Sequence, residues 1–212
     1  MILAGTTAAP RLGAVLLHGR GGSAADIMGL ADAVGTDDMR FAAPEADGNS
    51  WWPTSFLAPA DEIGPWLARG IEAVEAAVAA LESEGLERHR IAVLGFSQGA
   101  CLALEYAARR GGLHSVAALS GGLLGTGDAR TGPREALYGY GEKLFNYETD
   151  LTGTAAYLGC HEDDPHIPKA RVSHSATVLE GLGADVTLDL LPGAGHGILP
   201  REITAVRALW AA

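Results

Sequence analysis

Residues 91–100, IAVLGFSQGA, set a single polar residue, Ser97, between Gly95 and Gly99 directly after an apolar run. Ile91 to Leu94 reads as a strand covered on both faces, because it is short, rich in aliphatic residues and lacks polar alternation. Gln98 to Arg110 reads as a helix, so the chain must turn sharply at Ser97. Small residues two before and two after the turn suit so tight a bend, where a larger side chain would collide across it. Such a turn holds the Ser97 hydroxyl out at a helix N-terminus, where free N–H groups and the helix dipole stabilise negative charge. A plain β-turn serine accounts for the glycines but not for the strand before them and the helix after.

Working outward, apolar runs at Leu12 to Leu17, Phe41 to Ala43, Val116 to Leu119, Ala155 to Leu158 and Val186 to Leu191 read as further buried strands. Helices fall between them. The best runs from about Ile63 to Glu84, where Ile63, Leu67, Ile71, Val74, Val78 and Leu81 form one apolar stripe that Gly85 stops. Others are expected over 170–182 and 200–210. Strand and helix in alternation imply right-handed crossovers and a mainly parallel sheet with helices on both faces, whose ligands bind beyond the carboxyl ends of the strands. With no linker to divide it, the 1–212 chain reads as one α/β domain without a separate lid. Residues 121–153, rich in glycine and holding Tyr138, Tyr140, Phe145 and Tyr147, read as an irregular loop over the site.

A net charge of -11 with no cluster of Lys or Arg excludes nucleic acid and anionic lipid surfaces as partners. The N-terminal stretch has no signal-peptide pattern and nothing approaches the length of a bilayer span, so a soluble cytoplasmic protein, monomeric or homodimeric, without membrane insertion, is expected. Cys101 and Cys160 are far apart in sequence and read as buried free thiols.

A serine hydroxyl needs a base, which must come from another loop at the same end of the sheet. His196, flanked by glycines in LLPGAGHGI after the last strand, is the candidate; His89, His114 and His174 are given no role. The base needs a buried carboxylate to hold its tautomer. Asp164 in YLGCHEDDPHIP is favoured, because Pro165 restricts it to an extended conformation, with Asp163 and Glu162 as rivals. The order Ser97, Asp164, His196 is that of an α/β-hydrolase. The N–H of Gln98 would be one oxyanion donor and that of Arg20, in the HGRGGS loop, the other, with His18 bracing that loop. This loop lacks the lysine of a P-loop and the spacing of a dinucleotide fold. His161, Glu162, Asp163, Asp164 and His166 crowd one loop, but adjacent residues rarely converge on one ion, so no metal is expected. Cys101 falls inside the helix, not at the turn, which disfavours chemistry with a cysteine at the elbow.

HGRGGS, ADGNSWWP, GFSQGA, DPHIP and GAGHG, in that order, resemble the phospholipase/carboxylesterase family of small serine α/β-hydrolases, which includes acyl-protein thioesterases. The resemblance covers most of the chain. It implies an α/β-hydrolase fold, a triad of Ser97, Asp164 and His196, oxyanion N–H groups from Arg20 and Gln98, and no cofactor. It selects Asp164 over Asp163, because the family's acid immediately precedes a proline. It places Trp51 and Trp52 near the acyl pocket; His18, Gly19 and His166 are expected with them at the substrate, a small-molecule ester or thioester. Carboxylesterase activity is the expected function, with thioesterase or lysophospholipase activity on the same triad, or a non-catalytic binding protein on the same fold, as alternatives. Arg20 stands where the thioesterase branch has leucine, so substrate preference does not carry across.

Overall fold

The structure is a computed structural model and describes residues 1–135 and 139–211. A seven-stranded sheet forms its centre. In chain order its strands and helices are β1 (Ile2–Gly5), β2 (Leu12–Leu17), α1 (Ala24–Met28), α2 (Ala31–Val34), β3 (Met39–Ala43), α3 (Ala60–Ser83), β4 (Ile91–Phe96), α4 (Gln98–Arg110) and β5 (Ser115–Leu119). A two-stranded ribbon of β6 (Gly127–Asp128) and β7 (Lys143–Leu144) follows, then β8 (Ala155–Asp163), α5 (Lys169–Gly181), β9 (Asp185–Ala194) and α6 (Pro200–Ala211). The sheet order is β1-β3-β2-β4-β5-β8-β9, and every pairing is parallel except that of β1 with β3. This is the α/β-hydrolase arrangement, and the described residues form no separate lid.

Side chains alternate across the sheet, and each face has its own core. Val15, Leu17, Val93, Ala118 and Leu158 pack against α3, α4 and α5, while Leu12, Ala14, Leu16, Leu94 and Tyr157 pack against α1, α2 and α6. Because β2, β4, β5, β8 and β9 run parallel, their carboxyl ends share one edge, and the loops after Leu17, Phe96, Asp163 and Ala194 meet there.

The edges depart from the sequence expectation. β1 has no sequence signal beyond a short apolar pair, and Ile2 and Leu3 remain about two-fifths exposed. β9, expected to be buried, is also an edge strand, with Asp185, Thr187 and Leu188 exposed. Among the described residues, no helix is long and apolar enough to cross a membrane.

The described residues of the segment 121–153, which are 121–135 and 139–153, do not line the pocket at Ser97. Its Tyr147 hydroxyl bonds Glu105 two turns into α4, Phe145 meets the His174 ring edge-on, and Arg171 of α5 lies 5.3 Å from the Phe145 ring. Tyr147 and Phe145 thus bind it to the flanks of α4 and α5. Tyr138 lies outside the described residues.

The sharp turn after β4 is enforced by atoms of the main chain. A Cβ on Gly95 would lie 2.1 Å from the Gly99 carbonyl oxygen and 2.5 Å from the Ala100 nitrogen. Neither can move without separating β4 from α4. Gly95→Ala should therefore lose about 3 kcal/mol or more in urea unfolding. Gly181→Ala, in the last turn of α5 with nothing within 4 Å of its Cβ and no proline after it, should gain about 0.5–1 kcal/mol. Similar midpoints for the two variants would contradict the reading.

Candidate active site

Ser97 is held at φ 55° and ψ -118°, a conformation that L residues seldom adopt. Its N–H donates to the Leu119 carbonyl of β5 (2.9 Å) and its own carbonyl accepts from Cys101 N–H (3.1 Å), so sheet and helix jointly fix the turn. The hydroxyl oxygen is 2.8 Å from His196 Nε2, and His196 Nδ1 is 2.8 Å from Asp164 Oδ2. The second carboxylate oxygen, Oδ1, accepts N–H bonds from His166 (2.8 Å) and Ile167 (3.0 Å). These bonds orient the carboxylate so that Oδ2 receives Nδ1–H, which leaves Nε2 unprotonated and able to accept from Ser97.

The Asp164 side chain has no solvent exposure. Burial alone would raise its pKa, but the His196 bond and the two N–H donors outweigh burial and hold the carboxyl below its ordinary value. The charge is thus kept beside the imidazole. Phe96 and His166 flank the His196 ring, with centroids 5.2 and 4.8 Å away. Asp163 and Glu162, the rival carboxylates, take no part in the relay, and Glu162 faces Lys169 at 3.8 Å. Among the described residues, no group of three His, Cys, Asp or Glu is arranged to hold a metal ion.

The loop after β2 lies against the elbow: a Cβ on Gly19 would stand 3.3 Å from the Ser97 Cβ. Gly21 N–H donates to Asn49 (2.7 Å) and Gly22 N–H to Gly19 (3.1 Å). Arg20 N–H has no acceptor among the described residues, and Gln98 N–H, at the first position of α4, is not used by the helix. Both N–H groups are thus unpaired among the described residues.

Contrary to expectation, Trp51 does not line the pocket at Ser97, whereas His18, although buried, borders the neighbouring pocket with Gly19. His18 Nε2 accepts from Ala46 N–H (3.1 Å), so its Nδ1–H donates to the Gly19 carbonyl (2.8 Å), and the buried ring stacks on Trp51. Trp51 donates Nε1–H to the His18 carbonyl (2.9 Å). Both brace the loop from behind. Trp52 and His166 do line the pocket at Ser97, and Gly19 lines the pocket next to it.

Some contributors had no readable signal. The Gln98 side chain accepts from Trp51 N–H (2.8 Å) and donates to the Trp52 carbonyl (2.7 Å), which pins the 50–52 loop to the elbow. Glu202, in the first turn of α6, accepts from Leu199 N–H (2.7 Å) beneath the His196 loop, and its other oxygen is buried without a partner. Burial pushes the Glu202 carboxyl above its ordinary value. A raised folded-state pKa contributes stability that is full below the unfolded-state value and is lost as pH rises through the folded one. Glu202→Gln, whose amide oxygen still accepts from Leu199, should stabilise the protein by about 1 kcal/mol near pH 7. The gain should vanish near pH 4, and thermal melts at the two pH values check it.

Residues 64–207 match the dienelactone hydrolase family. A phospholipase/carboxylesterase from Dyadobacter fermentans is 35% identical, with a TM-score of 0.85 over 100% of this chain and 95% of that one. Acyl-protein thioesterase 1 of Gibberella zeae is 32% identical over 125 residues, which are 58% of this chain and 48% of that protein, so the chain matches about half of that relative's length. A Bacillus cereus carboxylesterase, 17% identical, shares the fold with a TM-score of 0.74 over 99% of this chain and 92% of that one. The residue at the elbow is Ser97, while Cys101 lies one turn into α4, where burial pushes its thiol up to about 12. The chain belongs to the dienelactone hydrolase family and to the phospholipase/carboxylesterase group of α/β-hydrolases that its motifs resemble.

Proposed function

We propose that the chain is a serine hydrolase of carboxylic esters that works through an acyl-enzyme. The observation that carries this reading is the unbroken relay from Asp164 through His196 to Ser97, two contacts of 2.8 Å each, beside two unused N–H groups. His196 Nε2 takes the Ser97 proton as Oγ bonds to the ester carbon, and the carbonyl oxygen becomes an oxyanion between the N–H groups of Arg20 and Gln98. As the tetrahedral species collapses, the bond to the alcohol oxygen breaks and His196 delivers its proton there. Water then attacks the acyl-enzyme, His196 accepts a proton from it, and the bond to Ser97 Oγ breaks as that proton returns to Oγ. The products are the carboxylic acid and the alcohol, and no cofactor enters.

A thioester would use the same steps with a thiol as leaving group. The relative named acyl-protein thioesterase 1 supports including acyl thioesters and lysophospholipids beside carboxylic esters in a panel ranked by kcat/KM. The direct test is a fluorophosphonate probe, which phosphonylates an activated serine. The wild type should be labelled and Ser97→Ala should not. A folded wild type that resists the probe would make the chain a binding protein on a hydrolase fold.

A further inference from the structure

Two pockets adjoin at Arg20, which lines both; Ser97 lines the first, and Phe96, next to it in sequence, lines the second. The first, about 450 Å³, is lined by Trp52, Thr54, Phe56, Ser97, Cys101 and His166 among others; Arg20 is its single charged side chain apart from any charge on His166, and it holds no Asp or Glu. The second, about 440 Å³, is walled by Ile27, Leu30, Phe96 and Ile198 and has Asp26 at its edge.

Among the described residues Arg20 meets no carboxylate, a pattern it shares with Arg90, but Arg20 stands beside Ser97. Arg11, Arg40, Arg88, Arg109, Arg171 and Arg201 each meet a carboxylate. Arg20 instead donates Nη1–H to the Pro53 carbonyl (2.8 Å) and Nη2–H to the Thr54 carbonyl. Two adjacent main-chain acceptors fix the guanidinium on the wall of the first pocket, yet leave its charge uncompensated. Two of its five N–H groups are used and three remain. A pre-positioned fork with spare donors suits a planar carboxylate and binds it with little loss of side-chain freedom. The overall charge of -11 repels anions at a distance, so an anionic substrate needs a local cation of this kind.

We propose that the substrate is an amphiphilic ester: a carboxylate on one side of the scissile bond is held by the Arg20 side chain in the first pocket, and hydrocarbon on the other side fills the second. This rests on Ser97 being the nucleophile. The carboxylate belongs to the acid part or to the alcohol part, and two substrate pairs separate these. In one, p-nitrophenyl hydrogen adipate is compared with its half-amide; in the other, p-hexanoyloxybenzoate is compared with p-hexanoyloxybenzamide.

In one pair the wild type should favour the carboxylate over the amide by about 10- to 100-fold in kcat/KM. Arg20→Leu and Arg20→Gln should each bring that ratio near one. Both variants keep the residue 20 N–H, and a ratio taken on one enzyme cancels any general loss of rate. A wild-type ratio near one in both pairs, or a preference that survives in folded variants, would overturn the proposal. Should neither variant fold, the wild-type ratio decides: a true preference shrinks in about 0.5 M NaCl, and a ratio that ignores salt counts against Arg20. Fluorophosphonate labelling separates the two claims. A labelled wild type with a ratio of one loses only this inference, whereas an unlabelled, inactive wild type loses the nucleophile reading itself.

Discussion

Ser97→Ala is expected to lower kcat by about 10⁴- to 10⁶-fold while the protein stays folded. The loss is large because no other group can replace the hydroxyl. Cys101, the nearest alternative nucleophile in sequence, sits inside α4 with its thiol held protonated by burial. Removing Oγ leaves the main-chain bonds of residue 97 to Leu119 and Cys101 intact, so stability should change little. The double variant Ser97→Ala, His196→Ala should be hardly slower than either single one, because the base has no function without the proton it removes. Initial-rate assays with a thermal melt on each variant test this. Two losses that multiply would mean that Ser97 and His196 act separately.

Asp164→Asn should reduce kcat by about 10⁴-fold with a much smaller change in KM. The cause is tautomeric. Oδ1 of residue 164 must still accept from His166 and Ile167, so an asparagine would turn its amide NH₂ toward His196 Nδ1. A donor there requires Nδ1 to be the acceptor, which places the ring proton on Nε2, facing Ser97, where it blocks the base. A variant retaining more than about a tenth of wild-type kcat would show that the carboxylate is not needed to set the tautomer.

The legible part of this protein was what local chemistry dictates. The Gly95-Phe96-Ser97-Gln98-Gly99 turn could be read because its glycines answer to collisions within five residues, and α4 begins and ends where the pattern placed it. The interior strands were legible from their apolar runs. Edge strand β1 and the helices α1 and α2, of 5 and 4 residues, were not, since segments so short carry little periodicity. Asp164 against Asp163 was not decided by the residues alone, because both precede the same turn; two backbone donors that only the folded loop supplies distinguish them. In segment 121–153 the aromatics and glycines suggested a wall over a site, whereas Tyr147 and Phe145 are engaged with α4 and α5. The support from the Gln98 and Glu202 side chains was hidden for a similar reason, as each meets main-chain groups that only the fold brings near, whereas the bracing by His18 was expected.

The central claim is that the fold makes one hydroxyl, that of Ser97, reactive enough to accept an acyl group. The most direct measurement treats the wild type with p-nitrophenyl dimethylcarbamate, whose carbamoyl-enzyme is long-lived, and maps the adduct by peptide mass spectrometry. The account predicts p-nitrophenol release matched by a carbamoyl group on Ser97, and neither in Asp164→Asn on the same timescale. An adduct on Cys101, or turnover of esters by an enzyme whose Ser97 is never modified, would contradict it.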